Sequence, residues 1–463
     1  MAVPNATPET VLVGKYPAKA HAQRVASLLL GQDPSAKGVI FLEGQETRML
    51  EDSDMPEPFR QRRYFYYLSG CTLPDCALTY DLETAELTLF IPPVDPEDVI
   101  WSGLPLTPEE ARHRYDVDHV RLTSEIDETL GAHARTGTIF AIDHVRSTRS
   151  LAERGLTPDV QRVKGIIETC RVVKDSYEVA LTREANGATA RAHAAVMRAV
   201  STTDNEQELQ ALFVQRCMAA RCPIQAYSPI VAAGESAATL HYVANDAPLA
   251  GKLNLLLDAG AEYRCYASDV TRTFPIHGRF TPESRAVYEV VLKMQEEGIA
   301  MLKAGVLWED VHMHAHRVAI RGLLDLGILK GAAEAIFETR TSVAFFPHGL
   351  GHYLGLDTHD VGGHANYRDA DTMFRYLRVR GRLPAGSIIT VEPGIYFCRF
   401  IIEPYLNDPT HAPFIDQAVL DRYWTVGGVR IEDNVLVTDD GYENLTTAVK
   451  GVDEMERLVR GGT

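Results

Sequence analysis

The stretch LNLLLDAGAEYRCYASDVTRTF, residues 253–274, decides how the chain is read. An apolar run ends on Asp258, the Ala259–Gly260 turn region follows, and a second strand-like run carries Asp269 between Ser268 and Val270. A hairpin of this length brings both carboxylates to the same end of a sheet. Held side by side, carboxylates repel one another unless cations sit between them. Two turn aspartates would each be commonplace, but an unpaired acid inside a strand is poorly placed. The pair reads as metal ligands.

Working outward, residues 174–200 and 204–220 read as helices, and SPIVAAG (228–234) as a strand. The run 263–276 reads as one strand. Helices follow near 282–303 and 308–327, and the end of the chain is strand-rich. Strands, helices and strands again imply an α+β domain on antiparallel sheet, not a parallel wound sheet. The first third alternates differently. A helix is expected over 18–30, strands at GVIFLEG (38–44), YFYYLSG (64–70), CALTYDL (76–82) and LTLFIPP (87–93), helices at 108–115 and 125–135, and a strand at 138–142. That is an α/β domain in its own right. A polar stretch near 165–175 divides the two, giving domains 1–170 and 171–463.

Composition narrows the function. A chain of 463 residues exceeds one ordinary core, and 45% hydrophobic residues suit a soluble globular protein. A net charge of −17 argues against nucleic-acid or anionic-membrane partners, which need clustered Lys and Arg. The seven cysteines form no CxxC pair, so reduced thiols and a cytoplasmic location are expected. No segment reads as a signal peptide or a bilayer span.

The remaining ligands lie further along. FFPHGLGHYLGLDTHDVGG (345–363) places His348, His352 and His359 among glycines, which permit close backbone approach and abrupt turns. A neutral imidazole is a good ligand, and a neighbouring one can shuttle a proton. IITVEPGIYF (388–397) and GVRIEDNVLV (428–437) set Glu392 and Glu432 inside β-branched strands, where an acid needs a cation or strong hydrogen bonds. For Glu432 a salt bridge with Arg430 would serve equally well. Asp258, Asp269, His352, Glu392 and Glu432 make a carboxylate-rich set with one histidine. Oxygen-dominated ligation favours manganese or a similar hard divalent ion over zinc, and two ions over one.

These segments, in this order, resemble the metallopeptidases of the pita-bread fold, in the branch of prolidase and aminopeptidase P. The phrases SDVTRTF, HGLGHYLGLDTHDVGG, TVEPGIYF and GVRIEDNVLV carry the likeness, and PFRQRRYFYYLSG (58–70) resembles the creatinase-type N-terminal domain of that branch. The resemblance implies an α+β chain with a creatinase-type α/β N-terminal domain before a pita-bread catalytic domain. It implies two manganese ions per subunit, with Asp258 on one, Asp269 and Glu432 bridging, and His352 with Glu392 completing the second. Glu392 would be the general base, His359 and His241 (in TLHYVAND) would steady the developing charge, His348 would support, and Arg430 would orient Glu432. The substrate would be a peptide with proline at its second position, cleaved by an Xaa-Pro aminopeptidase. A prolidase limited to dipeptides is the alternative, because Arg378 in YLRVRGRLPAG stands where prolidases place an arginine that could clamp a carboxylate. Phe345, Phe346 and Pro347 are candidates for the proline slot. Methionine aminopeptidases lack this N-terminal domain, and non-catalytic relatives of the fold lose ligands that are present here. A homodimer is expected from the same branch.

Overall fold

The computed structural model describes residues 8–462, which form two compact units dividing between Val172 and Val173. In the first unit, β1 (Gly38–Glu43) is buried along its whole length. It pairs antiparallel with β2 (Ala77–Asp81) and parallel with β5 (Thr138–Phe140). Beyond β2 lie β3 (Leu87–Ile91), antiparallel to it, and β4 (His119–Leu122), parallel to β3. Val39, Phe41, Phe90, Leu130, Ile139 and Leu151 share the core beneath this mixed sheet. Strand β1 is a continuous apolar run because both its faces are covered.

One expected strand is a helix. The segment around YFYYLSG forms Arg63–Ser69, closed by Gly70 in the left-handed region at φ 62°, whose N–H returns to the Tyr66 carbonyl. Six of its seven residues are buried. A helix covered on all sides shows no amphipathic period, and aromatic content alone does not choose a strand. The segment read as a polar connection is also helical, over Val163–Val172.

The second unit is built on two bent hairpins. In the first, β8 (Asn254–Asp258) lies between β7 (Ile230–Ala233) and β11 (Thr271–Pro275). The same hairpin then passes into another sheet, as β9 (Ala261–Tyr263) between β6 (Ile224–Gln225) and β10 (Tyr266–Ala267). The run 263–276 therefore holds two strands, β10 and β11, parted at Ser268–Val270, and it begins in the β9–β10 turn, where Arg264 and Cys265 take φ of 46° and 69°. The bend falls at Ala259–Gly260 and Ser268–Val270. A Cβ on Gly260 would lie 1.9 Å from the Ser268 carbonyl oxygen, so only glycine lets the two arms cross this closely.

The second hairpin repeats the device. Strand β12 (Ile388–Val391) pairs with β15 (Asp433–Val437), and past the bend β13 (Gly394–Tyr396) pairs with β14 (Gly428–Arg430). A last strand, β16 (Tyr442–Asn444), borders β15. Among the described residues every strand pairing in this unit is antiparallel, as the alternation of strands and helices implies. Helices Ser176–Ala199 and Glu206–Ala219 pack against each other, as do Pro282–Ala300 and Trp308–Asp325. Capping residues fix two of the starts. Asp175 and Glu178 exchange reciprocal hydrogen bonds, and Thr281 precedes Pro282 at the first helical position. No helix among the described residues is long and apolar enough to cross a membrane.

Candidate metal centre

Each hairpin brings two carboxylates to its bend. Asp258 is the last residue of β8, while Asp269 sits in the break between β10 and β11, not inside a strand. Glu392 and Glu432 occupy the corresponding breaks of the second hairpin. A strand break frees a side chain from the in–out alternation of a sheet, so Asp269, Glu392 and Glu432 can turn toward Asp258 at the strand end. The two hairpins are stitched together there. Glu432 donates its N–H to the Thr271 carbonyl (3.0 Å), and Asp269 donates its N–H to Asn434 Oδ1 (3.0 Å).

His352 arrives on the glycine-rich segment, which runs beside β12. Glu392 N–H donates to the Leu350 carbonyl, Thr390 N–H to the His352 carbonyl, and His352 N–H to Thr390 Oγ1. A Cβ on Gly351 would meet the Thr390 carbonyl oxygen at 1.9 Å. The His352 ring donates Nδ1–H to the Tyr353 carbonyl (3.0 Å), leaving Nε2 for a ligand. That nitrogen lies 3.3 Å from Asp269 Oδ2, 3.4 Å from Glu392 Oε1 and 4.0 Å from Glu432 Oε1. Three sets of potential ligands result, each with atoms within 4.8 Å of one another: Asp258, Asp269 and Glu432; His352, Glu392 and Glu432; and Asp269, His352 and His359. Glu432 belongs to the first two sets, and Asp269 reaches both sides.

The residues fit cations. Glu432 Oε1 is buried without a hydrogen-bond partner, while Oε2 accepts from Thr271 Oγ1 at 2.8 Å. An orphaned, buried carboxylate oxygen facing three other acids is an open ligand position. Burial, then repulsion from Asp269, Glu392 and Asp258, holds the Glu432 carboxyl well above its ordinary range. Burial likewise pushes Glu392 up to about 7, with Asp269 and Asp258 adding to it and His352 and Arg430 partly offsetting it. Burial also raises Asp258, against the pull of Arg430. Asp269 moves the other way. Burial opposes its ionisation, but its hydrogen bond to His352 and the charge there bring it below the usual range. The same contact, with Glu392, lifts His352 although burial opposes this. So many acids at one point call for positive charge.

The surrounding residues fall into two groups. Arg430 is buried and pairs directly with Asp258; it reaches Glu432 only through Thr271 Oγ1, which accepts from its Nε at 3.1 Å. The expected orientation of Glu432 by Arg430 is thus indirect. His348 donates Nδ1–H to the Gly349 carbonyl and accepts from the Tyr396 hydroxyl through Nε2, with Nδ1 4.0 Å from Glu392. The Tyr396 oxygen in turn accepts from Arg430 (3.0 Å). His359 and His241 are exposed, and the His359 ring meets that of His352 edge-on with centroids 4.4 Å apart. Partial desolvation beside the acid cluster, then the charges of His352 and Arg378, holds His359 down at about 3. Arg378 donates to the Tyr367 hydroxyl at 3.1 Å. Phe345 and Phe346 are wholly buried, packed against Phe397 and against His312 and His316, so they line no slot.

The profile of Metallopeptidase family M24 matches residues 180–439, and that of the aminopeptidase P N-terminal domain matches residues 21–140. The "Probable Xaa-Pro aminopeptidase" of Verticillium alfalfae is 62% identical over 458 residues, spanning 97% of this chain and 98% of its own. The chain belongs to the M24 metallopeptidases. A relative of similar name from Podospora anserina is 61% identical over 97% of this chain and 98% of its own. Among solved M24 structures, aminopeptidase PepP of Pseudomonas aeruginosa superposes with a TM-score of 0.79 at 31% identity, covering 96% of this chain and 99% of that one. Aminopeptidase P from Escherichia coli with the inhibitor Pro-Leu gives 0.79 at 28%, covering 97% and 99%. The pita-bread fold and the N-terminal domain expected from the sequence are those of this M24 chain.

Sequence reasoning missed the residues that hold the ligands. The Tyr227 hydroxyl donates to Asp258 Oδ1 at 2.6 Å, and Thr271, Tyr396 and Asn434 act as described above. Thr271 and Tyr396 stand inside phrases already singled out, which was a usable signal. Tyr227, in AYSPI, carried none.

Proposed function

We propose that the chain is an Xaa-Pro aminopeptidase that works with two manganese ions and releases the first residue of peptides whose second residue is proline. The observation that carries this reading is the pair of ligand sets meeting at Glu432, one with Asp258 and Asp269, the other with His352 and Glu392. Its M24 membership and the names of its relatives support the substrate class. An oxygen-rich donor set suits a hard divalent ion, which is the argument for manganese. Such ions, when bound, supply Lewis acidity toward water and toward the scissile carbonyl.

The chain's own groups do the rest. Glu392 is the least covered of the five ligands, at 18% side-chain exposure; it takes the proton as general base. Both ring nitrogens of His348 are engaged elsewhere, so it supports the site through Gly349 and Tyr396 and gives Glu392 no hydrogen bond. His359 stays neutral and, with His241, offers N–H donors where negative charge develops on the carbonyl oxygen. Arg430 and Tyr227 fix Asp258 from opposite oxygens. An Xaa-Pro bond has no N–H, so recognition must come from the ring and from the free amino terminus. Residues 171–463 are taken as the catalytic domain and 1–170 as the appended one, in a cytoplasmic homodimer that needs no nucleic acid or membrane.

A second reading, dipeptidase, rests on Arg378, whose charge reaches His359 and whose guanidinium is already aimed by Tyr367. A guanidinium there could grip a dipeptide's carboxylate through two hydrogen bonds. The test is hydrolysis of Ala-Pro beside a longer peptide beginning Ala-Pro, with manganese-loaded protein. Preference for the longer peptide supports the aminopeptidase. Cleavage of the dipeptide alone makes it a prolidase, and Arg378→Ala should then harm that activity selectively.

A further inference from the structure

Behind the carboxylates lies a second, largely buried polar network. Arg272 on β11 and Asp433 on β15 have no exposed surface. The Arg272 guanidinium donates through Nε to the Val449 carbonyl (2.9 Å), and through Nη2 to the Ala448 carbonyl (2.8 Å) and Asp433 Oδ1 (2.6 Å). Its Nη1 donates to the carbonyls of Thr271 (2.9 Å) and Glu432 (2.8 Å). A guanidinium has five N–H donors in one rigid plane, so none is spare. One nitrogen thus spans both hairpins, gripping Glu432 itself and the residue two past Asp269.

Asp433 is locked in turn. Its Oδ2 accepts from Asn444 (2.7 Å) and from Lys450 Nζ (2.8 Å). Lys450 also donates to Gln295 (2.7 Å), whose amide reaches the Val391 carbonyl (3.5 Å), next to Glu392. The network runs from Arg272 on β11, three residues past Asp269, to Val391 at the end of β12, next to Glu392. A buried ion pair is weak evidence of stability, since apolar packing of equal volume often serves as well or better. What it supplies here is orientation.

We propose that Arg272, held by Asp433 and Lys450, is a positioning residue that sets the spacing between Asp269 and Glu432 and so the affinity of the site for its second ion. This rests on the two-ion reading above. Groups that orient metal ligands typically change affinity by about 10–100-fold when lost. Lysine cannot stand in, because its three donors sit on a flexible stem.

The test is calorimetric titration of Mn2+ into the chelator-stripped full chain, with Tm recorded on the same samples. Arg272→Lys keeps the charge opposite Asp433 and loses the fork. Its second ion should bind about 10–100-fold more weakly, with turnover recovering in excess manganese. A role in stability alone would lower Tm and leave the affinity unmoved. A second-ion affinity within about twofold of the unvaried chain overturns the proposal, whatever Tm does. Should Arg272→Lys fail to fold, Lys450→Gln decides by the same criterion, since that side chain is partly exposed. An unvaried chain that takes up fewer than two ions would instead overturn the reading on which this one rests.

Discussion

Four acids and one imidazole meet at a buried point, and their roles separate under single-atom changes. Asp269→Asn removes a charge from the carboxylate that reaches both ligand sets. It should cost one ion and at least about a hundredfold in turnover, more than an outer-sphere change does. Metal content and kcat measured together check this, and wild-type turnover would remove Asp269 from the bridging position. Glu392→Gln is nearly isosteric, so Tm should hold while kcat falls by about 10²–10⁴, the usual worth of a positioned base. An unchanged rate would strike it out as base. The acids were legible because each stands in a strand-like run where an acid is costly. Their supports were not. Thr271 bonds Glu432 across 161 positions, and a threonine in a strand looks like any other β-branched residue.

The bend in each hairpin is what turns strand residues into a cage. At the first bend Gly260 permits the close backbone contact, and the histidine segment lies equally close against β12. Gly351→Ala would set a Cβ 1.9 Å from the Thr390 carbonyl oxygen, which is main chain and cannot step aside alone. The segment carrying Leu350 and His352 must then leave β12. A displacement of about 1 Å at a catalytic group costs on the order of a hundredfold. We expect kcat/KM to fall by that much, with Mn2+ affinity falling in parallel. Gly351→Ala with full activity would mean that β12 does not set the His352 position. Glycine in the histidine segment was readable as a sign of close approach, but its partner strand was not. The bends were also hidden. Residues 263–276 keep strand composition throughout, although a turn at Arg264 and Cys265 joins β9 to β10 and the change of sheet follows at Ser268–Val270, residue types that do not announce it. Arg63–Ser69 failed for the opposite reason, since total burial erases helical periodicity.

At the scale of the whole chain, the cluster couples folding to both metal and pH. Without cations, Glu392 keeps its proton up to about pH 7 in the folded chain, against an ordinary value of 4.5. Across that window the folded state binds more protons than the unfolded one, so its stability falls as pH rises through it. Asp258 and Glu432 are displaced in the same sense, while Asp269 and His352 form a pair shifted toward ionisation. Bound cations favour the ionised acids, and their binding to the native state alone adds stability by mass action. Metal uptake should therefore release protons and tighten as pH rises. The Tm gap between manganese-loaded and chelator-treated protein should widen from pH 5 to pH 8, by about 5 °C or more. Titrating Mn2+ in buffers of different ionisation enthalpy counts the protons directly. A constant gap with no proton release would mean that these carboxyls are already ionised and satisfied by Arg430, Tyr227 and Thr271, which would leave Glu432 Oε1 as a buried defect and not as a ligand.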